Sequence, residues 1–373
     1  MRIGILTFQF ANNFGAMLQA YSLRRYLCEN GVNANLINYE SEFFVKTYSM
    51  NPFRQLPELK GFLSVCKKIP KYPVQNTVFK DFKKNDLLLE SRAIRTYKHL
   101  VSTIKRYDAI IVGSDQVWNP ELTNNDITYF APFSDEMPCA SYAAGLGSGH
   151  SLSEKQIEFF KKTLKEYKFV SVRESNSVEL ITPYASVPVK TAPDPVFLLT
   201  KEKWEQLSTA PSDVDLNNDY IFYYSLAGKK NGRLNEAVAA FSNKTGLRII
   251  ATHPAAKRAC IKSEQTYKSG PKEFLSLINN ANYVFTDSFH ASAFSVLFGK
   301  QAYIVPVNPK DSRIESLLEG MGIPHSESGF YDFNAQSNNC LKYQIHGKAV
   351  LSGLLNAVDN KSEIEGTNVN ERA

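Results

Sequence analysis

Short, continuous apolar runs alternate along this chain with stretches of helical spacing. Residues 3–8 read as a buried strand, and residues 34–39 as the next. Between them, Met17, Tyr21, Leu23 and Leu27 share one face of a helix over 16–30 that Gly31 stops. This is a βαβ unit, which requires a parallel pair of strands and a right-handed crossover. The same rhythm predicts strands at 109–113, 140–144 and 169–172, with a helix from about Ser153, where Ser153 and Gln156 form a capping-box pattern.

The polar stretch 207–219 (LSTAPSDVDLNND) reads as a linker. A second series follows, with strands at 220–225, 248–251, 283–286 and 303–306 and helices at 231–244, 271–279, 290–298 and 311–321. The pattern predicts an α/β chain of two doubly wound, Rossmann-like domains facing a cleft, over 1–206 and 220–345. A last helix at 348–359 and a mobile polar tail at 361–373 occupy the remaining 346–373. The length of 373 residues suits two domains, each with its own core.

Composition narrows the class. Apolar residues make up 43% and charged residues 21%, which excludes disordered and collagen-like chains. The net charge of +6 favours an anionic partner, but it forms no dense basic stripe of the kind that nucleic acid requires, so no nucleic-acid partner is expected. Five cysteines lie far apart with no Cys-x-x-Cys, which excludes a disulfide framework and points to a reducing, cytoplasmic setting. The most apolar stretch, 281–299, carries Asp287 and His290 near its centre and reads as a strand entering a helix, not as a membrane span. Residues 41–86 depart from the α/β rhythm. Phe43, Phe44, Tyr48, Phe53, Phe62 and Tyr72 alternate there with Lys60, Lys67, Lys68, Lys71, Lys80, Lys83 and Lys84, which fits either an insertion with a solvated face or a surface for a lipid-linked partner at the inner face of the membrane.

Ligands of open α/β sheets sit beyond the carboxyl ends of the strands, so the residues after each strand carry the candidate chemistry. After the first strand come Asn13, Gly15 and Gln19, and after the strand ending at 113 come Ser114, Asp115, Gln116, Trp118 and Asn119. The second set reads as a carbohydrate site, with Trp118 as a stacking face and its polar neighbours as hydrogen-bond partners. Residues 145–149 (GLGSG) suggest an anion-facing loop but lack a P-loop ending, and Asp213 and Asp215 read as solvated linker residues, not a metal pair. The sharpest signal is Asp287-Ser288-Phe289-His290, which places an imidazole at a strand tip that opens a helix. Cations able to reach it are Arg313, Arg173, His253, Lys257, Lys229, Lys230 and Arg233. No histidine pair has metal-ligand spacing, so no metal is expected.

Seven motifs in order, NNFGAMLQAYSLRRYL, DAIIVGSDQVWNP, SYAAGLGS, SVRESNSVELI, APDPVFLL, TDSFHASAFSVLFGK and SRIESLLEGMGI, resemble the polysaccharide pyruvyl transferase family over about residues 1–325. The resemblance implies a GT-B-like pair of domains and transfer of pyruvate from phosphoenolpyruvate, as co-substrate without a further cofactor, to a sugar of a lipid-linked oligosaccharide as a cyclic ketal. It assigns His290 as the essential histidine; the chemistry itself then makes His290 the acid for the methylene carbon or the stabiliser of the departing phosphate, and Asp115 the candidate base for a sugar hydroxyl. Arg313, Arg173, Ser288, Asp287, Lys257 and His253 become the donor side, and Asn13, Gly15, Gln19, Ser114, Gln116, Trp118 and Asn119 the acceptor side. Many members carry an arginine two residues before that histidine, followed by His-Gly; here Ser288 and Ala291 stand in those places. A nucleotide-sugar glycosyltransferase on the same scaffold and a non-catalytic carbohydrate-binding protein remain alternatives.

Overall fold

The computed structural model describes residues 1–41, 43, 72–89, 92–147, 151–252, 261–308 and 312–359. Strands β1 (Arg2–Leu6), β2 (Asn33–Leu36), β3 (Ala109–Val112) and β4 (Cys139–Ser141) form a sheet of order β2-β1-β3-β4, parallel throughout. All of β3 and nearly all of β1 are buried, because helices cover both faces of a parallel sheet; this is why these strands read as apolar runs without alternation. A parallel pair, β5 (Val170–Val172) and β6 (Val189–Thr191), continues this layer through bridges from Ala140 to Phe169 and from Ala144 to Val172.

The second sheet has the order β12-β11-β10-β7-β8-β9, from β7 (Tyr220–Tyr224), β8 (Arg248–Ala251), β9 (Glu264–Gln265), β10 (Tyr283–Thr286), β11 (Gln301–Ile304) and β12 (Phe330–Asp332). Its edge strand β12, which lies outside the strands expected from the sequence, runs antiparallel to β11. Strands β6, β9 and β12 are two or three residues long, too short to leave a periodic signal.

The longer helices are α1 (Phe14–Glu29), α2 (Tyr72–Asn85), α3 (Tyr97–Ile104), α4 (Glu154–Thr163), α5 (Lys201–Leu207), α6 (Gly232–Thr245), α7 (Pro271–Asn279), α8 (Phe289–Leu297), α9 (Ser312–Gly320) and α10 (Ser337–Val358). Helix α4 begins with the expected capping box, Ser153 and Gln156 each bonding the other's backbone N–H. Helix α10 starts eleven residues before the expected 348, since its polar first turn, Ser337-Asn338-Asn339, hid its onset. It follows the second sheet in sequence but packs on the turn Pro195–Leu198 and on β4; Gln344 Nε2 donates to the Leu199 carbonyl (2.8 Å), and Tyr142 Oη to that of Gly347 (3.1 Å).

The two sheets are joined by a shared core. Phe14, the first residue of α1, stacks on Phe79 of α2 (5.3 Å) and on Phe274 of α7 (4.8 Å), and lies 5.7 Å from Tyr224 of β7. Burying such an aromatic contributes about 2–3 kcal/mol. Helix α2 is thus partly core: Phe79 and Phe82 are buried, and Lys83 Nζ donates to the Phe10 carbonyl (2.5 Å), with burial pulling its pKa down to about 8. Lys83 is therefore withdrawn from any basic surface over 41–86, of which residues 42 and 44–71 lie outside the described part, as do residues 148–150 of the glycine-rich loop and the tail from 360. No helix among the described residues is long and apolar enough to cross a membrane.

Candidate active site

Two strand-tip loops meet face to face. The loop after β1 enters α1 with Asn13 as N-cap, its side chain accepting from Ala16 N–H (3.2 Å). The loop after β10 enters α8 with Ser288 as N-cap, its hydroxyl accepting from Ala291 N–H (3.5 Å). Gly15 and His290 are the second residues of these helices, and they touch: a Cβ on Gly15 would stand 2.1 Å from His290 Nδ1. Neither helix carries an acidic residue in its first turn, so two positive helix termini converge on one imidazole, a setting suited to an anion. Gly15→Ala forces these helices apart. We expect it to cost about 1–3 kcal/mol by overpacking, measured by urea unfolding, and to displace the imidazole; unaltered stability and His290 NMR shifts would refute the contact.

On its other side, His290 Nε2 lies 3.6 Å from Asp194 Oδ2, and no hydrogen bond forms there. Asp194 caps the turn Pro195–Leu198 through Val196 N–H (3.1 Å), and its Oδ2 accepts from Arg173 Nη1 (3.0 Å) and from Ser114 Oγ (3.3 Å). Arg173 Nε donates to Glu174 Oε1 (2.9 Å), Nη1 lies 4.0 Å from Asp115 Oδ1, and the guanidinium stacks 4.3 Å from the ring of Phe289. Three carboxylates thus surround one guanidinium, the neighbour of His290 covering it. Burial pushes the Asp194 carboxyl up, but His290 and Arg173 outweigh it and bring it down to about 2 from the ordinary 3.8. Arg173 is held firmly charged by Glu174, Asp194 and Asp115 against the opposing effect of burial.

A depressed folded-state pKa stabilises above the unfolded value and loses that stabilisation as pH falls through the folded one. Asp194 should therefore contribute about 2 kcal/mol at neutral pH that disappears between about pH 4 and 2. Urea midpoints across that range should fall more steeply in the wild type than in Asp194→Asn. Parallel pH profiles would contradict the assignment.

The structure brings Asp115, Arg173, Gly15, Asn13, Ser288 and His290 to one place, and it revises several expected roles. Trp118 offers no stacking face: it is fully buried between Phe130, Phe160 and Tyr167, with Nε1 donating to the Tyr129 carbonyl (3.1 Å). Gln19 and Ser114 are likewise buried and turned inward: Gln19 Nε2 donates to Thr7 Oγ1 (2.8 Å), and Gln19 Oε1 accepts from Ser114 N–H (3.2 Å). Gln116 and Asn119 stay partly exposed and bond each other (3.1 Å). The Arg173 side chain is 3% exposed, and its charge faces Asp115, Glu174 and Asp194. Asp287 instead organises the loop after β7, accepting from Ser225 Oγ (2.7 Å), Leu226 N–H (2.7 Å) and Asn231 Nδ2 (3.3 Å). Lys229, Lys230 and Arg233 follow on that loop and the start of α6, all exposed. Arg313 stands half-buried in the first turn of α9, a helix placed beside Arg173 and Glu174 by Ser175 N–H donating to Ser316 Oγ (3.3 Å). His253 and Lys257 lie outside the described residues. Asp213 anchors a loop, accepting from Thr266 Oγ1 (2.6 Å) and Tyr267 N–H (2.7 Å).

Asp194, Glu174 and Phe289 escaped the sequence reading as site residues. The signal for Asp194 was Pro193-Asp194-Pro195, an N-cap followed by proline within an apolar run.

Two Rossmann-like sheets with strand tips facing each other and a C-terminal helix crossing back define a GT-B-type fold. Solved structures bear this out: UDP-GlcNAc 2-epimerase from Neisseria meningitidis superposes with a TM-score of 0.53 at 12% identity, covering 95% of this chain and 100% of that one. A putative UDP-N-acetylglucosamine 2-epimerase from Listeria monocytogenes gives 0.51 at 12% identity, covering 98% and 97%, and S. aureus MnaA with UDP gives 0.51 at 11%, covering 94% and 90%. Among curated protein sequences, none matches. The chain matches the polysaccharide pyruvyl transferase family over residues 13–309 and belongs to that family of transferases.

Proposed function

We propose that this protein transfers pyruvate from phosphoenolpyruvate to two hydroxyls of one sugar in a lipid-linked glycan, forming a cyclic ketal and releasing phosphate. The observation that carries this reading is His290, held between a buried carboxylate and the junction of two helix N-termini. Asp194 faces Nε2, so Nδ1, on the Gly15 side, is the nitrogen that meets the substrate. Admission of substrate then requires the α1 terminus to withdraw from His290.

The imidazolium delivers its proton to the methylene carbon of phosphoenolpyruvate, and C2 becomes electrophilic. One sugar hydroxyl adds to C2 and loses its proton to Asp115, the one carboxylate of the three whose side chain reaches solvent, 15% exposed against 0% for Asp194 and Glu174. Phosphate departs with cleavage of its C2–O bond, taking up the proton from Asp115. The second hydroxyl closes the ketal and returns a proton to His290. With Arg173 spent on carboxylates, the donor's charge falls to the helix termini, Arg313 and the exposed Lys229, Lys230 and Arg233.

The test is phosphate release from phosphoenolpyruvate in the presence and absence of glycan acceptor. Release that depends on both supports the reading. Turnover of a nucleotide sugar in its place would favour a glycosyltransferase, and binding of glycan without turnover of either donor would favour a carbohydrate-binding protein.

A further inference from the structure

In the reaction proposed above, Asp115 takes the proton of the sugar hydroxyl, and its backbone lies in the left-handed region at φ +66°. A residue with a Cβ disfavours that region and keeps it only where its surroundings hold it there. Both backbone groups of the preceding residue, Ser114, are held by side chains of other elements: its N–H donates to Gln19 Oε1 of α1 (3.2 Å), and its carbonyl accepts from Thr7 Oγ1 beyond β1 (2.9 Å). These two contacts are themselves joined, since Gln19 Nε2 donates to Thr7 Oγ1 (2.8 Å) and to the Ala16 carbonyl (2.9 Å). Thr7, Gln19 and Ser114 are all fully buried. On the far side of the turn, the Asp115 carbonyl accepts from Val117 N–H and from Gly145 N–H (2.8 Å each).

The direction of each bond is fixed by the donors present. Thr7 has one hydroxyl proton, which goes to the Ser114 carbonyl; its oxygen then accepts, and the amide N–H of Gln19 supplies that bond. A carboxylate at position 19 has no proton for Thr7 and would set a second acceptor against the Ala16 carbonyl. Apolar side chains would fill the same space but leave the Ser114 N–H and carbonyl unpaired, so the turn that presents Asp115 depends on these two polar side chains. We propose that Gln19 and Thr7 are positioning residues that hold the backbone of Ser114, and with it the carboxylate of Asp115, in place for the reaction.

Gln19 lies one turn beyond Gly15 on α1, so the helix whose terminus meets His290 also anchors Asp115. One helix thereby places both the acid and the base. The role of the pair in catalysis rests on the pyruvyl-transfer reading, whereas their hold on the turn does not.

The test measures phosphate release from phosphoenolpyruvate with glycan acceptor in Gln19→Glu, Thr7→Val and Thr7→Ser, each checked for folding by its thermal midpoint. The first two should lower kcat about 10- to 100-fold with the KM for phosphoenolpyruvate unchanged, whereas Thr7→Ser, which keeps the hydroxyl, should turn over near the wild-type rate. Adding either to Asp115→Asn should slow that variant no further, because a base that is absent cannot be misplaced. NMR with labelled aspartate reads the turn independently of activity: the Asp115 Cα and Cβ shifts should move in Gln19→Glu and Thr7→Val and stay in Thr7→Ser. Unaltered turnover in folded Thr7→Val, or a loss that persists in full on top of Asp115→Asn, overturns the positioning role. Unmoved Asp115 shifts in both variants overturn the hold on the turn. Shifts that move as expected in a protein whose wild type releases no phosphate retain that hold and remove the pyruvyl-transfer reading, which tells the two failures apart.

Discussion

Replacing Arg173 by methionine is expected to destabilise the protein by about 3–5 kcal/mol. The guanidinium is the cation at the centre of Asp115, Glu174 and Asp194, two of which are wholly inaccessible to solvent. Removing it leaves buried negative charges facing one another, at a cost far above that of a lost surface pair. Arg173→Lys should rescue only part of the loss, because an ammonium cannot reach Glu174 and Asp194 in the two directions the fork serves. Urea unfolding measures both. The alternative role, a direct contact to the donor anion, predicts the reverse: a normal urea midpoint with a raised KM for phosphoenolpyruvate. The two outcomes separate a residue that builds the site from one that touches the substrate.

The second large effect is on turnover. His290→Ala should lower kcat about 100- to 10,000-fold, the range a positioned general acid supplies, with little change in the KM for phosphoenolpyruvate if charge contacts elsewhere hold the donor. Truncation leaves space at Gly15 and keeps the neighbouring carboxylate paired with Arg173, so the fold should survive. A thermal midpoint close to wild type makes the kinetic loss interpretable. Full turnover in a folded His290→Ala protein would remove the imidazole from the mechanism.

How much of this was legible in the sequence follows from the range over which each feature is decided. The βαβ series was readable because parallel strands buried on both faces leave unbroken apolar runs, and the helices between them carry their own caps. His290 was readable because its strand, turn and helix are contiguous, so its place at the tip follows from local pattern alone. Gly15 showed as an acceptor-side candidate after the first strand; the reason it lacks a side chain is an imidazole from the other domain, which no local pattern contains. The surroundings of Arg173 and Trp118 were hidden for the same reason. A cation or an indole at a strand end looks available for a ligand until Asp115 and Asp194, or Phe130, Phe160 and Tyr167, are known to surround it.

The departure from the family pattern before His290 acquires a physical context here. Ser288 holds the N-cap of α8, and Phe289 covers the guanidinium of Arg173, so the tip is built around a cation supplied by the first domain. Helix α8 and the Arg173 cluster therefore bring the two domains into contact beside the imidazole.

Following carbon-labelled phosphoenolpyruvate into a glycan acceptor tests pyruvyl transfer by this protein without an intermediate inference. The expected result is acid-labile, alkali-stable label on the sugar, one phosphate released for each ketal formed, and loss of both in folded His290→Ala. Transfer of a sugar from a nucleotide donor with no label from phosphoenolpyruvate, or undiminished labelling by His290→Ala, would contradict it.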